Sequence, residues 1–526
     1  MRGWVVVSVA LMGAMALAQD APLVKVDGGV ISGQLVSDPS GSMAVFRGVP
    51  FAAPPMGDLR WRPPRPVTPW QGTRRCVAFG PACPQPRQEL VGRTPERMSE
   101  DCLYLNVWGP PPSKQEGSTR PVMVWIHGGG FTTGAGSLPY YDGRKLAAKG
   151  VVVVTINYRL GPFGFLAHPL LSRESERNVS GNYGLLDQIA ALEWVRRNIA
   201  AFGGDKDRVT IFGESAGAVS VCRLMTSPLA EGLFHRAIAQ SGGARGLNRF
   251  LRETRNGLAP MEKVGEEVEK RLGCEGAADR LAAMRAKSAE EVLAAANAAQ
   301  GLFGRGTKYG PVVDGWVLPE PADEAFAAGR QHPVPMIVGS NADEGTIFLR
   351  QINVSRRIGY LIVMRSIFGK RSQEAMRLFP VASDADVRQA LNEVVTVSSF
   401  VAPARALARD MAAKGLPAYL YHLTRVAPSV ARLKMGAFHG LDVAYVFGNG
   451  SRGFAAGEED RALTAEIMTR WARFAATGDP NGPGLTSWPA YSPDEDAYLE
   501  FGDTVKVKRG LWKEACDLFD RVAAER

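Results

Sequence analysis

Val209-Thr210-Ile211-Phe212-Gly213-Glu214-Ser215-Ala216-Gly217-Ala218-Val219-Ser220 is the stretch on which the reading of this chain turns. Val209 to Phe212 predicts a strand, Ala218 to Met225 predicts a helix, and G-x-S-x-G lies between them. The small flanking residues let the backbone turn sharply under strain and lift the serine hydroxyl out of the bend, which makes the motif a nucleophile elbow. The helix N-terminus just behind Ser215 favours negative charge developing there. A bare G-x-S-x-G recurs by chance as an ordinary turn; the strand before and the helix after set this one apart.

Outward from the elbow, further short apolar runs read as strands: Val122 to Ile126, Val151 to Thr155, Met336 to Val338 and Tyr419 to Leu423. They are nearly continuous in hydrophobicity, as strands covered on both faces must be. Between them lie helical patterns. Tyr183 to Ala200 puts Leu185, Leu186, Ile189, Leu192, Val195 and Ile199 on one stripe. Strands alternating with such helices predict an α/β protein with a large, mostly parallel sheet flanked by helices. The Ala-, Glu- and Arg-rich stretch from 250 to 300 reads as a helical insertion without strands. With no internal repeat and no long linker, residues 19–526 are expected to form one domain.

A serine hydroxyl needs a base to become a nucleophile. In the α/β-hydrolase chain order of serine, acid, histidine, only His422 and His439 of the six histidines come late enough. His422 sits inside the predicted strand Ala418 to Leu423, where a satisfied structural histidine is expected. His439, in a loop beside Gly440, is the expected base. The acid that orients it is left open by spacing among Asp343, Glu344 and Asp442. His127-Gly128-Gly129-Gly130 directly follows the strand ending at Ile126, so these glycines fit an oxyanion loop, joined by the N–H of Ala216. Neither a Walker A pattern nor G-x-G-x-x-G accompanies them, which argues against a nucleotide site.

The 526 residues are 45% hydrophobic and 22% charged, proportions that exclude a disordered, collagen-like or membrane-bundle protein. The formal charge of +9 is spread without any Lys/Arg block, so no nucleic-acid partner is expected. Met1-Arg2, the apolar run Trp4 to Leu17 and the small-x-small Ala16-Leu17-Ala18 predict a signal peptide over residues 1–18, cleaved near Ala18. The mature chain is then secreted or periplasmic, without stable membrane insertion, and its six cysteines are allowed to oxidise.

The chain resembles the type B carboxylesterases, the carboxylesterase/cholinesterase family of the α/β-hydrolase superfamily. The resemblance runs through Phe46 to Ala52, Ser99 to Trp108, Trp125 to Phe131, Asn157 to Gly161, the elbow, Asp343-Glu344-Gly345, His439-Gly440 and Tyr445 to Gly448. It implies Ser215 as nucleophile, Glu344 as acid, His439 as base, and Gly129, Gly130 and Ala216 as the oxyanion hole. It also implies internal ion pairs Arg47–Glu100 and Arg159–Asp187 and a disulfide between Cys83 and Cys102. Cys274 matches half of a second bridge whose other position appears as Ala283, which leaves that bridge unsupported. Cys222 reads as a buried free thiol, and Cys76 and Cys516 are unassigned.

The expectation is a secreted serine carboxylesterase that works on a small-molecule ester through an acyl-enzyme, with no metal and no cofactor. Amide, carbamate or thioester hydrolysis by the same triad is the alternative enzyme reading. A non-catalytic binding module of the same fold predicts loss of the serine or the histidine, and both are present. The stretch Pro84 to Asp101 contains no Trp, Tyr or Phe but carries Arg87, Arg93 and Arg97. A choline head group, which takes no hydrogen bond and needs an aromatic face, finds none there.

Overall fold

In a computed structural model the chain is described over residues 21–525, except 39–40, 88–93, 112–118, 247, 256 and 451–456. The expected signal peptide lies outside the described residues. Eleven strands form the central sheet: β1 (Gln34–Asp38), β2 (Gly41–Pro50), β3 (Tyr104–Gly109), β4 (Arg120–Ile126), β5 (Val152–Ile156), β6 (Gly204–Glu214), β7 (Arg236–Gln240), β8 (Met336–Asn341), β9 (Ala418–Leu423), β10 (Ala497–Phe501) and β11 (Val505–Arg509). Their spatial order is β11-β10-β9-β8-β7-β6-β4-β5-β3-β2-β1. The run from β5 to β10 is parallel throughout. Both flanks, β1–β2–β3–β5 and β10–β11, pair antiparallel.

The sheet is covered on both faces, which explains its apolar runs. In β4, Val122, Val124 and Ile126 join one core cluster while Met123 and Trp125 join the other. Val152, Val154 and Ile156 of β5 divide from Val153 in the same way. Alternate residues point to opposite faces, so a strand with helices above and below must be apolar at every position. Helix α1 (Tyr183–Asn198) buries its stripe on the first of these faces, and α2 (Ala216–Thr226) follows the elbow.

The segment from 250 to 300 forms three helices, Met261–Arg271, Arg280–Arg285 and Ala289–Ala296. One short strand, Arg249–Phe250, touches its start and pairs in parallel with Val312–Val313. No second bridge ties this insertion. Instead Arg280 forks onto Glu269, whose other contact is His168 Nε2 at 3.1 Å.

One expected ion pair is corrected. Glu100 is held by Arg60, whose Nε lies 2.7 Å from Oε2, while Arg47 contacts Gln34 and lies over the Phe79 ring. Arg60 is buried and forks onto the half-buried Glu100 carboxylate; Arg47 lies on β2 at the sheet's antiparallel flank. Arg159 and Asp187 pair as expected, with Nε–Oδ2 2.8 Å and Nη2–Oδ1 2.7 Å. All six cysteines are buried and unbonded in this structure, with the Cys83 and Cys102 thiols in contact.

Candidate active site

The elbow is built where β4, β6 and α2 cross. Ser215 has φ 58° and ψ −122°, left-handed space that a non-glycine residue enters only when its surroundings impose it. The imposition is visible. The Ser215 N–H donates to Gln240 O at 2.9 Å, and Val219 N–H donates to Ser215 O at 3.0 Å. A Cβ on Gly217 would lie 2.0 Å from Ile126 O, so only glycine permits the helix to pass this close to the end of β4. A Cβ on Gly128 would meet Glu214 O at 2.7 Å and the Ser215 Cβ at 3.1 Å. The glycine loop therefore runs directly beside the serine. The N–H groups of Gly129, Gly130 and Ala216 have no acceptor among the described residues.

His127 anchors that loop. Its ring stacks on Tyr158 with centroids 4.4 Å apart, Tyr158 donates to His127 O at 2.9 Å, and burial drives the imidazole pKa down to about 4. His422 is another buried histidine with pKa pushed down to about 4 by burial, and it contacts Ser340 Oγ at 3.2 Å. Both are neutral structural groups.

His439 differs. Its Nδ1 lies 2.6 Å from Glu344 Oε2. The other oxygen, Oε1, accepts the Ser241 hydroxyl and the Asn341 N–H, each at 2.6 Å. With Glu344 accepting at Oε2, the neutral imidazole carries its proton on Nδ1 and presents the Nε2 lone pair. Nε2 is buried with no hydrogen-bond partner, and the nearest acid is Glu214 Oε1 at 3.1 Å, on the residue preceding Ser215. Burial opposes charge on His439, but Glu214 and Glu344 outweigh it and raise the imidazole to about 9. Burial pushes the Glu214 carboxyl up to about 8.

The other two acid candidates are turned elsewhere. Asp343 Oδ1 accepts from Asn392 and Oδ2 from the Ala437 N–H, both at 2.9 Å, and these bonds steady the segment leading to His439. Asp442 Oδ2 accepts from Gln240 at 2.9 Å and from Tyr421 at 2.6 Å. Neither meets His439 in a hydrogen bond.

Glu214, Ser241 and Phe348 are additions that sequence reasoning did not assign. The Phe348 and Phe400 rings pack against the His439 imidazole, with centroids 5.0 and 4.8 Å away. Phe400 lies in a π-helical turn, Val397–Val401, between two α-helical stretches. Such a bulge is frequent at functional sites, and in the sequence it carries no local signal. Ser241 could have been noticed in Gln240-Ser241-Gly242-Gly243, a glycine turn after a strand; its φ of 50° is also left-handed. No cluster of metal-ligating side chains occurs among the described residues.

A family model described as "Carboxylesterase family" matches residues 20–519. The fumonisin B1 esterase of Sphingopyxis macrogoltabida is 41% identical, over 90% of this chain and 85% of its own. The para-nitrobenzyl esterase of Bacillus subtilis is 38% identical, over 88% of this chain and 92% of its own. The pyrethroid hydrolase Ces2e of Rattus norvegicus is 36% identical, over 97% and 92%. An α/β-hydrolase sheet, a strained serine elbow and a histidine held on a buried glutamate thus occur in a chain that belongs to the carboxylesterase family, an enzyme of the carboxylic-ester hydrolase class.

Proposed function

We propose that the protein hydrolyses carboxylic esters through an acyl-enzyme, with Ser215 as nucleophile, His439 as general base and Glu344 as the carboxylate that orients it. The observation that carries the reading is the 2.6 Å contact between Glu344 Oε2 and His439 Nδ1, which leaves Nε2 bare beside the elbow. Ser215 Oγ attacks the ester carbonyl carbon while Nε2 takes the hydroxyl proton, and Glu344 stabilises the imidazolium so formed. The carbonyl oxygen becomes an oxyanion, held by the free N–H groups of Gly129, Gly130 and Ala216. On collapse the C–O bond to the alcohol breaks and Nε2–H protonates the departing oxygen. Water then attacks the acyl-Ser215 ester by the same route, giving the carboxylic acid and free enzyme.

Residues 19–526 act as one catalytic domain in this reading, since its sheet draws strands from residue 34 to residue 509. Secretion or periplasmic export after cleavage near Ala18 is part of the proposal, and so is closure of the touching Cys83 and Cys102 thiols into a disulfide there. No helix among the described residues is long and apolar enough to cross a membrane. The names of the relatives cover fumonisin B1, para-nitrobenzyl and pyrethroid substrates, which supports a small-molecule ester as the substrate.

The test is Ser215→Ala with a short nitrophenyl ester, together with mass mapping after treatment with an organophosphate. The expected result is loss of turnover in a folded protein, and phosphorylation of the parent at Ser215 alone. Turnover retained by the alanine variant, or label found elsewhere, overturns the mechanism.

A further inference from the structure

Seven large apolar side chains are exposed among the described residues, and four of them belong to segments that join at Arg350–Gln351. Phe303 is 40% exposed, and its N–H donates to Gln351 Oε1 at 3.2 Å. Leu433, 54% exposed, is two residues from Met435, whose sulfur meets Arg350 Nη2 at 3.0 Å. Ile358 and Ile362 are 65% and 63% exposed, one turn apart on the helix Arg357–Phe368 that follows Gln351 within six residues. A soluble surface seldom leaves two isoleucines stacked on one outer helix face without a use for them.

These segments also border the site. Arg350 is six residues past Glu344, Met435 is four before His439, and a Cβ on Gly130 would lie 3.9 Å from Gly301 N. The apolar residues are interleaved with exposed cations: Arg305, Arg350, Arg356, Arg357, Arg432 and Lys434. None of these six has a carboxylate partner among the described residues. Two carboxylates lie near the helix start, Asp384 accepting the Arg357 N–H at 2.7 Å and Asp386 the Ser383 N–H at 2.8 Å, and they offset only part of the charge of the six cations.

We propose that this face seats on the surface of a bilayer carrying anionic phospholipid, with the four apolar side chains entering the acyl boundary and the cations meeting headgroup phosphates. Exposed isoleucines flanked by unpaired arginines are the chemistry of an interfacial helix. The formal charge of +9 adds long-range attraction to the same surface. A second copy of the chain fits worse: a two-fold interface sets the patch against itself and brings cation onto cation. Docked in this way, the segments that run on to Glu344 and His439 lie against lipid, where apolar esters partition. That consequence rests on the esterase reading; the docking does not.

The experiment is co-sedimentation of the full chain with vesicles of phosphatidylcholine alone and with added phosphatidylglycerol, at low and high salt. Binding is expected to the anionic vesicles, weakened by salt. The double variant Ile358→Ser/Ile362→Ser and, separately, Arg356→Ser/Arg357→Ser should each lower partitioning by at least about tenfold. Both should hydrolyse a short soluble nitrophenyl ester as the parent does, which also shows that they are folded. Ser215→Ala should bind vesicles normally, so failure of the catalytic reading and failure of the docking are separable. Absence of binding to anionic vesicles, equal binding to both vesicle types, or binding unchanged in the isoleucine variant overturns the proposal. A concentration-dependent dimer in light scattering that the isoleucine variant abolishes would assign the face to self-association instead.

Discussion

Replacing Glu344 by Gln removes one charge and adds two donors, and the neighbours dictate which way the amide must sit. Oε1 accepts from the Ser241 hydroxyl and the Asn341 N–H. An amide nitrogen there would confront the Asn341 N–H donor to donor, leaving a buried group unsatisfied at a cost of about 1–3 kcal/mol. The Gln oxygen therefore takes that position and its NH2 turns to His439 Nδ1. Nδ1 must then accept, the proton moves to Nε2, and the lone pair that should take the Ser215 proton is gone. A triad with its imidazole in the wrong tautomer loses about four decades in kcat, or roughly 5.4 kcal/mol of transition-state stabilisation. The assay is steady-state hydrolysis of a soluble nitrophenyl ester, with the rate of organophosphate labelling as an independent measure of nucleophilicity. Asp343→Asn and Asp442→Asn are the controls, because their oxygens contact Asn392, Ala437, Gln240 and Tyr421 and not the imidazole. A kcat for Glu344→Gln within tenfold of the parent, or a greater loss in Asp442→Asn, refutes the assignment.

Because Glu214 and Glu344 raise His439 to about 9, kcat/KM should fall as pH drops, with a midpoint above the ordinary imidazole value of ~6.5. Glu214→Gln should move that midpoint downward; an acid limb at or below ~6.5 in the parent, or one unmoved by the variant, contradicts the electrostatics. Asp187→Ala leaves the Arg159 guanidinium, 3% exposed, without its carboxylate, and should destabilise the fold by about 3–5 kcal/mol in denaturant titration; a loss under about 1 kcal/mol would mean that the arginine finds water or another partner. A choline ester should be hydrolysed no faster than its neutral 3,3-dimethylbutyl analogue at low ionic strength, since residues 84–101 offer no aromatic face. A choline preference of tenfold, about 1.4 kcal/mol, would reveal a cation site built from other segments.

What the sequence disclosed of the fold follows from how local each signal is. Val122 to Ile126 reads as a strand buried on both faces because every one of its residues is apolar, and its side chains do divide between the two cores. The elbow reads because strand, small residues and helix are contiguous. The antiparallel flanks were not legible: β1 and β2 alternate less cleanly, and their pairing depends on partners up to 65 residues away. The Arg47–Glu100 pairing failed for a similar reason. Arg47 and Arg60 are both plausible partners in one dimension, and only the burial of Arg60 against Glu100 decides between them.

The choice between Asp343 and Glu344 shows the limit most plainly. Asp343 and Glu344 are adjacent and chemically alike, and position in the chain could not separate them; the family resemblance did. Physically they part because successive residues at the end of β8 face different ways. Asp343 faces the Met435-to-Phe438 segment and clamps it, while Glu344 faces inward to Asn341, Ser241 and His439. Glu214 inverts the lesson. It stood in plain view inside the elbow as the variable residue of G-x-S-x-G, yet nothing local says that its carboxylate reaches 3.1 Å from Nε2. The two glutamates then differ by environment alone. Glu344 accepts three hydrogen bonds that fix its position, so it can orient the imidazole. Glu214 Oε1 accepts none and is buried, which pushes its carboxyl up to about 8 and lets it respond to the charge on His439. A carboxylate saturated with donors holds its position and its charge, whereas a buried one without donors shifts with the charge beside it.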